Sequence, residues 1–117
     1  MLWIPGQRIL IAGDVLFNGM HVYTAEADSK ARGKWLNSLQ RIRELKPSVV
    51  IPGHSKVGAP LDSNTALDFT ENYLLVFEEE LKKAKDADSL VNTMKEKFPS
   101  SDLLLVIDRG AKANVKP

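Results

Sequence analysis

The sequence of 117 residues predicts an α/β fold. Short apolar runs with strand character occupy residues 2–4, 8–13 and 48–51. From position 29 onward the apolar residues recur at spacings of three and four, which is typical of amphipathic helices. Turn-forming residues separate these segments. The length suffices for a modest core, so we expect residues 1–117 to form a single domain.

The strand predictions come from the apolar runs and the turns between them. A Pro-Gly dipeptide between the first two runs predicts a β-hairpin, and residues 17–19 predict a second turn. Residues 21–24 fit a short strand or an extended loop. The run at 48–51 lacks alternation, which predicts a strand buried on both faces, and residues 52–55 are then expected to form a loop.

Three amphipathic segments predict helices. They cover residues 29–45, 63–84 and 88–97, with caps at Asp28 or Ser29, at Asp62 or Ser63, and at Asp88. Prolines after the first and third segments are expected to end them. A last apolar run at 103–107 fits either a strand or a helix. We favour a helix, because Ser100 or Ser101 would suit its start.

Charged and aromatic residues on these helices have plain structural explanations. The basic cluster of Lys30, Arg32 and Lys34 predicts a solvated helix face. The acidic run 78–80, followed by two lysines, predicts local ion pairs at i, i+4. Trp3 and Trp35 are expected to pack in the core or between layers.

The composition excludes several classes of function. Sixteen Lys and Arg against fifteen Asp and Glu give a net charge of +1, which argues against a nucleic-acid partner or a membrane-surface role. The absence of cysteine excludes disulfides and thiolate metal sites. No apolar stretch approaches the roughly 20 residues that span a bilayer. By default we expect a soluble, cytoplasmic protein, although any targeting segment of a longer parent would lie upstream.

Asp14 and His54 are the strongest candidates for chemistry. Each follows an apolar run, Ile9–Ile11 and Val49–Ile51 respectively, and strand ends present polar groups from a rigid sheet. Two plainer interpretations stay open: Asp14 could cap the following turn, and His54 could simply be exposed. We expect the other histidine, His21, to be structural or exposed.

The order of these motifs resembles the carboxyl-terminal half of a metallo-β-lactamase-fold hydrolase. The resemblance rests on residues 9–17 (ILIAGDVLF), on Trp35 with Leu39, and on residues 49–54 (VVIPGH). It implies half of an αββα sandwich, with a small mixed sheet and three or four helices packed on one face. It also implies that Asp14 bridges two zinc ions and that His54 ligates the second.

The remaining zinc ligands of that family come from a His-x-His-x-Asp-His motif and one further histidine, which this sequence lacks. A hydrolytic zinc needs about three protein ligands and an open position. We therefore expect a lone monomer not to bind zinc tightly and not to hydrolyse β-lactams, thioesters or similar substrates. No catalytic side chain is assigned beyond the two metal ligands, and the substrate is unknown.

Two functional hypotheses follow, and whether the chain is an enzyme stays open between them. In the first, the chain is part of a zinc hydrolase that a missing amino-terminal half completes. In the second, it is a non-catalytic half-fold that forms a homo-oligomer, with two copies covering each other's apolar sheet faces. We favour a fragment or truncated gene product over an evolved partner protein.

Overall fold

A three-stranded sheet carries four helices in residues 1–116, the part of the chain that the computed structural model describes. The strands are β1 (Leu2–Ile4), β2 (Ile9–Asn18) and β3 (Val49–Ser55). The helices are α1 (Ser29–Leu45), α2 (Thr65–Lys83), α3 (Ala87–Lys97) and α4 (Leu104–Asn114). The α/β class with a small mixed sheet is confirmed.

The sheet has the order β1-β2-β3. β1 pairs with β2 in antiparallel fashion, with Leu2 opposite Ile11, so the predicted hairpin is present. β2 and β3 are parallel, with Ile9 opposite Val49. Parallel neighbours need a long crossover, and α1 supplies it. The carboxyl ends of β2 and β3 therefore meet at the same edge of the sheet.

Burial alternates along β2 and β3. Leu10, Ala12 and Val50 are almost fully buried beneath the helices, whereas Ile11 and Ile51 are 38% and 37% exposed. Successive side chains of a strand point to opposite faces, so in residues 1–116 the helices cover one face of the sheet and leave the other open. The prediction that residues 48–51 are buried on both faces is therefore wrong.

Both central strands are longer than the apolar runs indicated. β2 continues to Asn18 and β3 continues to Ser55, with Phe17 paired to His54. Residues 52–55 are thus strand, not the expected loop, and His54 belongs to it. A Pro-Gly pair is tolerated there because β3 is an edge strand with a single neighbouring strand, β2. The N–H that the proline lacks is therefore not needed for hydrogen bonds to a second neighbour.

The helix caps agree with prediction in α1 and differ in α3. The Asp28 carboxylate accepts the N–H of Ala31 at 2.8 Å, as expected for a cap. In α3 the cap is Asp86, not Asp88. The Asp86 carboxylate accepts the N–H of Ser89 at 2.8 Å, and the Ser89 hydroxyl accepts the N–H of Asp86 in return. This reciprocal capping box places the cap of α3 two residues earlier than predicted.

The other two helices start later than the sequence indicated. The residue that precedes α2 as its cap is Asn64, not Asp62 or Ser63. Asp62 forms an isolated antiparallel bridge with Val49, and its carboxylate accepts the N–H of Thr65 at 3.2 Å, where α2 begins. The run at 103–107 is helical, as favoured, but α4 begins at Leu104 without a serine cap. Leu103 precedes it in a left-handed conformation with φ 60°.

The prediction that Arg32 lies on a solvated face is wrong. Its side chain is 1% exposed and its Nε pairs with Glu78 of α2. Nη1 donates to the carbonyl of Ala27 and, at 2.6 Å, to Oδ1 of Asn114, and the guanidinium lies 5.1 Å from the centre of the Phe77 ring. This network ties the start of α1 to α2 and to the end of α4.

The apolar stripe of α2 forms the centre of the core, with Tyr73, Leu74 and Phe77 fully buried. Trp3 and Trp35 pack against that core as predicted. The expected i, i+4 ion pair between Glu79 and Lys83 is present at 3.2 Å. None of the helices in residues 1–116 is long and apolar enough to cross a membrane.

Candidate functional site

A bulge in β2 shapes the edge of the sheet where the two candidate residues meet. Gly13 pairs with Pro52, and the next pair along is Phe17 with His54. Three residues of β2 therefore lie opposite one residue of β3. Gly13 has φ +65°, a left-handed conformation that glycine adopts without steric cost. Such bulges redirect side chains and are frequent beside functional sites. Here the bulge presents Asp14 at the sheet edge.

Gly53 is the residue of β3 that faces the bulge, and it allows the two strands to approach closely. A Cβ at this position would lie 2.6 Å from the carbonyl carbon of Gly13 and 2.8 Å from the nitrogen of Asp14. It would also overlap the Asp14 carboxylate. Any larger residue would push the bulge away from β3, so Gly53 sets the position of Asp14.

The geometry brings Asp14 and His54 together. Oδ1 of Asp14 lies 3.3 Å from Nε2 of His54. Both side chains remain accessible, at 80% and 46% exposure. The His54 ring stacks on the Phe17 ring with centroids 5.0 Å apart and planes 21° from parallel. Stacking on a buried ring orients the imidazole so that Nε2 faces the carboxylate.

Contacts from two helices hold the bulge in place. The indole Nε1 of Trp35, on α1, donates to the carbonyl of Val15 at 2.7 Å. The hydroxyl of Thr70, on α2, accepts the N–H of Phe17 at 3.0 Å and lies 2.9 Å from its carbonyl oxygen, to which it donates. The backbone on both sides of Leu16 is therefore fixed from beneath, which makes the place where the Asp14 backbone leaves the bulge a property of the rigid scaffold.

Two cavities open beside Asp14. The larger, of about 590 Å³, lies between β2 and α1, with Lys34 and Trp35 in its wall. The smaller, of about 250 Å³, lies between the ends of the strands and α4. Its lining comprises Asp14, Phe17, Tyr23, His54, Leu103, Val106 and Arg109. Of these two cavities in residues 1–116, the second is lined by both Asp14 and His54, so it is where a bound molecule would contact the pair.

The donor pair suits zinc in kind and in spacing but not in number. Two donors of one tetrahedral zinc, each about 2.1 Å from the metal, lie roughly 3.4 Å apart. The 3.3 Å between Asp14 and His54 is close to this value. Within residues 1–116, however, no group of three or more His, Asp, Glu or Cys side chains is arranged to hold a metal. The described residues alone do not fit a complete zinc site.

His21 lies apart from this pair and has a structural role. It is fully buried, and its Nδ1 lies 2.8 Å from the hydroxyl of Tyr73. Burial, with a smaller contribution from the charge of Lys95, lowers the pKa of His21, and burial raises the pKa of Tyr73. Nε2 of His21 has no hydrogen-bond partner in the described residues. The ring is therefore held neutral in the core.

Several residues that shape this site were not predicted from the sequence. In the sequence Gly53 stands out only as part of the Pro-Gly-His motif, although a glycine beside a candidate ligand is a signal for close backbone approach. Tyr23 and Arg109 carry no local signal, because they reach the cavity from a loop and from α4.

Comparison with known protein families supports the resemblance over part of the chain. Residues 1–54 match the metallo-beta-lactamase superfamily. The match includes the bulge and ends at His54, so it contains both candidate ligands. The assignment to the carboxyl-terminal half of that fold stays a prediction, as do the ligand roles of Asp14 and His54. No curated protein matches the chain.

Proposed function

We propose that the chain contributes part of a metal-dependent hydrolytic centre of the metallo-β-lactamase type. Asp14 and His54 would supply two ligands to zinc, and a further polypeptide segment would supply the others. The observation that carries this proposal is the 3.3 Å separation of Oδ1 and Nε2 on a rigid bulge, within the stretch that matches the superfamily. The substrate class would be a compound with a hydrolysable electrophilic carbonyl or similar centre.

The donor count supports the need for a completing segment. A hydrolytic zinc uses about three protein ligands and keeps one position open. Asp14 offers one anionic oxygen donor and His54 one neutral nitrogen donor. With two donors the chain is expected to bind zinc weakly and not to catalyse hydrolysis alone.

The open face of the sheet supports the same conclusion. β2 and β3 carry both candidate ligands, and they also carry Ile11 and Ile51 on the uncovered face, next to Leu2 of β1. A second sheet packed there would lie about 10 Å away and would bring its own strand ends to the same edge. We propose that the occupant of this face is a β-sheet segment that carries the missing histidine ligands.

A zinc titration of the chain tests the ligand assignment. NMR signals of the nitrogen-15-labelled backbone amides and of the imidazole rings would be followed as zinc is added to wild type, Asp14→Asn and His54→Gln. We expect weak binding that shifts the His54 ring and the residues of the bulge, and loss of these shifts in both variants. Asp88→Asn, which removes an exposed carboxylate on α3, is the matched control and should behave like wild type. Zinc-induced shifts that persist in both site variants would refute the assignment.

Hydrolysis assays test whether the chain needs a further polypeptide segment in order to be active. With saturating zinc, a generic ester and a β-lactam should show no metal-dependent turnover by the chain alone. Turnover well above background in a strictly monomeric sample would show that the described donors suffice and would overturn the proposed completion.

Self-association is the second candidate function, and the open sheet face is the observation that favours it. Size-exclusion chromatography with light scattering would measure the mass of wild type, Ile11→Lys and Ile51→Lys. If two copies cover each other's sheets, both variants should be monomeric under conditions where wild type is a dimer. Leu75→Lys, at a helical leucine that is 51% exposed, is the control and should leave the dimer intact. A monomeric wild type at high concentration would exclude this candidate.

A further inference from the structure

We propose that the 250 Å³ cavity beside the donor pair binds the carboxylate of an amphipathic molecule through Arg109. The inference rests on the proposed function, because it names the class of substrate that the proposed hydrolytic centre would accept. It goes beyond that function in assigning a recognition residue on α4.

The lining of the cavity combines polar and apolar side chains. Asp14 and His54 line it from the sheet edge, and Arg109 lines it from α4. Tyr23, Leu103 and Val106 also line it and supply apolar surface. Tyr23 is 36% exposed and Leu103 is 39% exposed, so both present accessible apolar surface that a ligand could cover.

The charges around the cavity leave Arg109 available for a ligand. On α4 the neighbouring Asp108 pairs with Lys112 at 2.9 Å, and Asp102 lies 3.9 Å from Lys56. Within residues 1–116 Arg109 has no carboxylate within 4.0 Å. A guanidinium presents a planar fork that matches a carboxylate with two parallel hydrogen bonds, which makes this anion the fitting partner.

Since all these groups line one cavity, the proposal assigns each part of such a molecule to one of them. Its carboxylate would contact Arg109, its apolar body would cover Tyr23 and Val106, and its far end would reach the edge that carries Asp14 and His54. Asp14 would repel a second anion at that end. The expected class is therefore a compound with one carboxylate, an apolar or aromatic body, and a neutral hydrolysable group.

An NMR titration of the full chain without metal tests the proposal. The probes are 3-phenylpropionate and its neutral amide, 3-phenylpropionamide, which share the same body. We expect the carboxylate to shift the amide signals of Tyr23, Val106 and Arg109 and to bind about tenfold more tightly than the amide, the effect of one charge-assisted pair. Arg109→Gln should remove this difference.

Two variants complete the design. Arg41→Gln removes an exposed arginine on α1 that has no ion pair in the described residues, and it should bind like wild type. Arg109→Lys keeps the charge but loses the fork, so its affinity should be intermediate. It also provides a second measurement if Arg109→Gln loses its dispersed spectrum. Inorganic phosphate should bind more weakly than 3-phenylpropionate, because it cannot use the apolar wall.

Three results would overturn the proposal: no shifts at the cavity in wild type, equal affinity for the acid and the amide, or equal losses in Arg109→Gln and Arg41→Gln. Because no zinc is present, failure here leaves the zinc titration unaffected. Conversely, failure of zinc to bind at Asp14 and His54 would leave the carboxylate measurement intact.

Discussion

Replacement of Gly53 by alanine is expected to destabilise the fold and to weaken zinc binding at the same time. The added Cβ would lie 2.8 Å from the nitrogen of Asp14 and 2.6 Å from the carbonyl carbon of Gly13, whereas ordinary contact begins at 3.4 Å. The obstructing atoms are backbone, so relief requires β2 and β3 to separate by about 0.6 to 0.8 Å. Overpacking of this kind costs about 1–3 kcal/mol.

The same displacement would move the Asp14 carboxylate relative to His54. Functional constellations tolerate errors of only about 0.5 Å before they lose affinity. We therefore expect Gly53→Ala to reduce the zinc-induced shifts of the bulge as well as the midpoint of urea denaturation. Stability would be measured by circular dichroism, and zinc binding by the titration described above.

Gly33→Ala is the matched control for the Gly53 experiment. Gly33 lies within α1 and is exposed. Apart from its own helix backbone and its chain neighbours, no atom of residues 1–116 lies within 4 Å of the place that an added Cβ would occupy, so alanine there removes a helix-weakening glycine without steric conflict. It should raise stability by about 0.5–1 kcal/mol. The two substitutions add the same methyl group and are expected to act with opposite sign. A Gly53→Ala protein as stable as wild type would refute the close-approach explanation.

Two further predictions concern buried ionisable side chains. Arg32→Met should cost at most about 3–5 kcal/mol in urea denaturation, because it leaves the mostly buried Glu78 without its charged partner and with the Ser29 hydroxyl as its remaining donor. The double variant Arg32→Met/Glu78→Leu should recover part of the loss, and a double variant less stable than the single one would count against this explanation. The lowered pKa of His21 means that the unfolded chain binds a proton, near its ordinary pKa of 6.5, more readily than the folded chain does. Stability from this residue is then complete above about pH 6.5 and falls as the pH drops below it, by at most about 1.4 kcal/mol per pH unit. His21→Gln should flatten this dependence in urea melts between pH 5 and 8, His54→Gln should retain it, and an unchanged slope in His21→Gln would contradict the assignment.

The elements that follow from local pattern were predicted well. The apolar runs located all three strands, and the helical spacing located α1 and α2. These elements are predictable because the burial of one helix stripe or one sheet face requires apolar residues at regular spacing within a short segment. The strand ends were missed for a physical reason. Pairing of Phe17 with His54 extends β2 and β3 through turn-forming residues, and this pairing depends on a neighbour that is distant in sequence.

Arg32 shows the same limit in the core. Its local context, between two lysines on α1, is typical of a solvated face. Its partners Glu78 and Asn114 are 46 and 82 residues away in the chain, so no window of sequence could indicate its burial. Arg109 is a comparable case at the candidate site, since only the packing of α4 brings it to the cavity that contains Asp14.

The candidate ligands and the open apolar face belong to the same two strands, so on the proposed function metal binding would be coupled to assembly. A segment that covers Ile11 and Ile51 and also donates ligands would bind more tightly when zinc is present, and zinc would bind more tightly when the segment is present. The rigid bulge matters for this coupling, because Trp35 and Thr70 fix its backbone before any partner arrives. The backbone that carries Asp14 is then preorganised beside His54, and most of the cost of ordering would fall on the incoming segment.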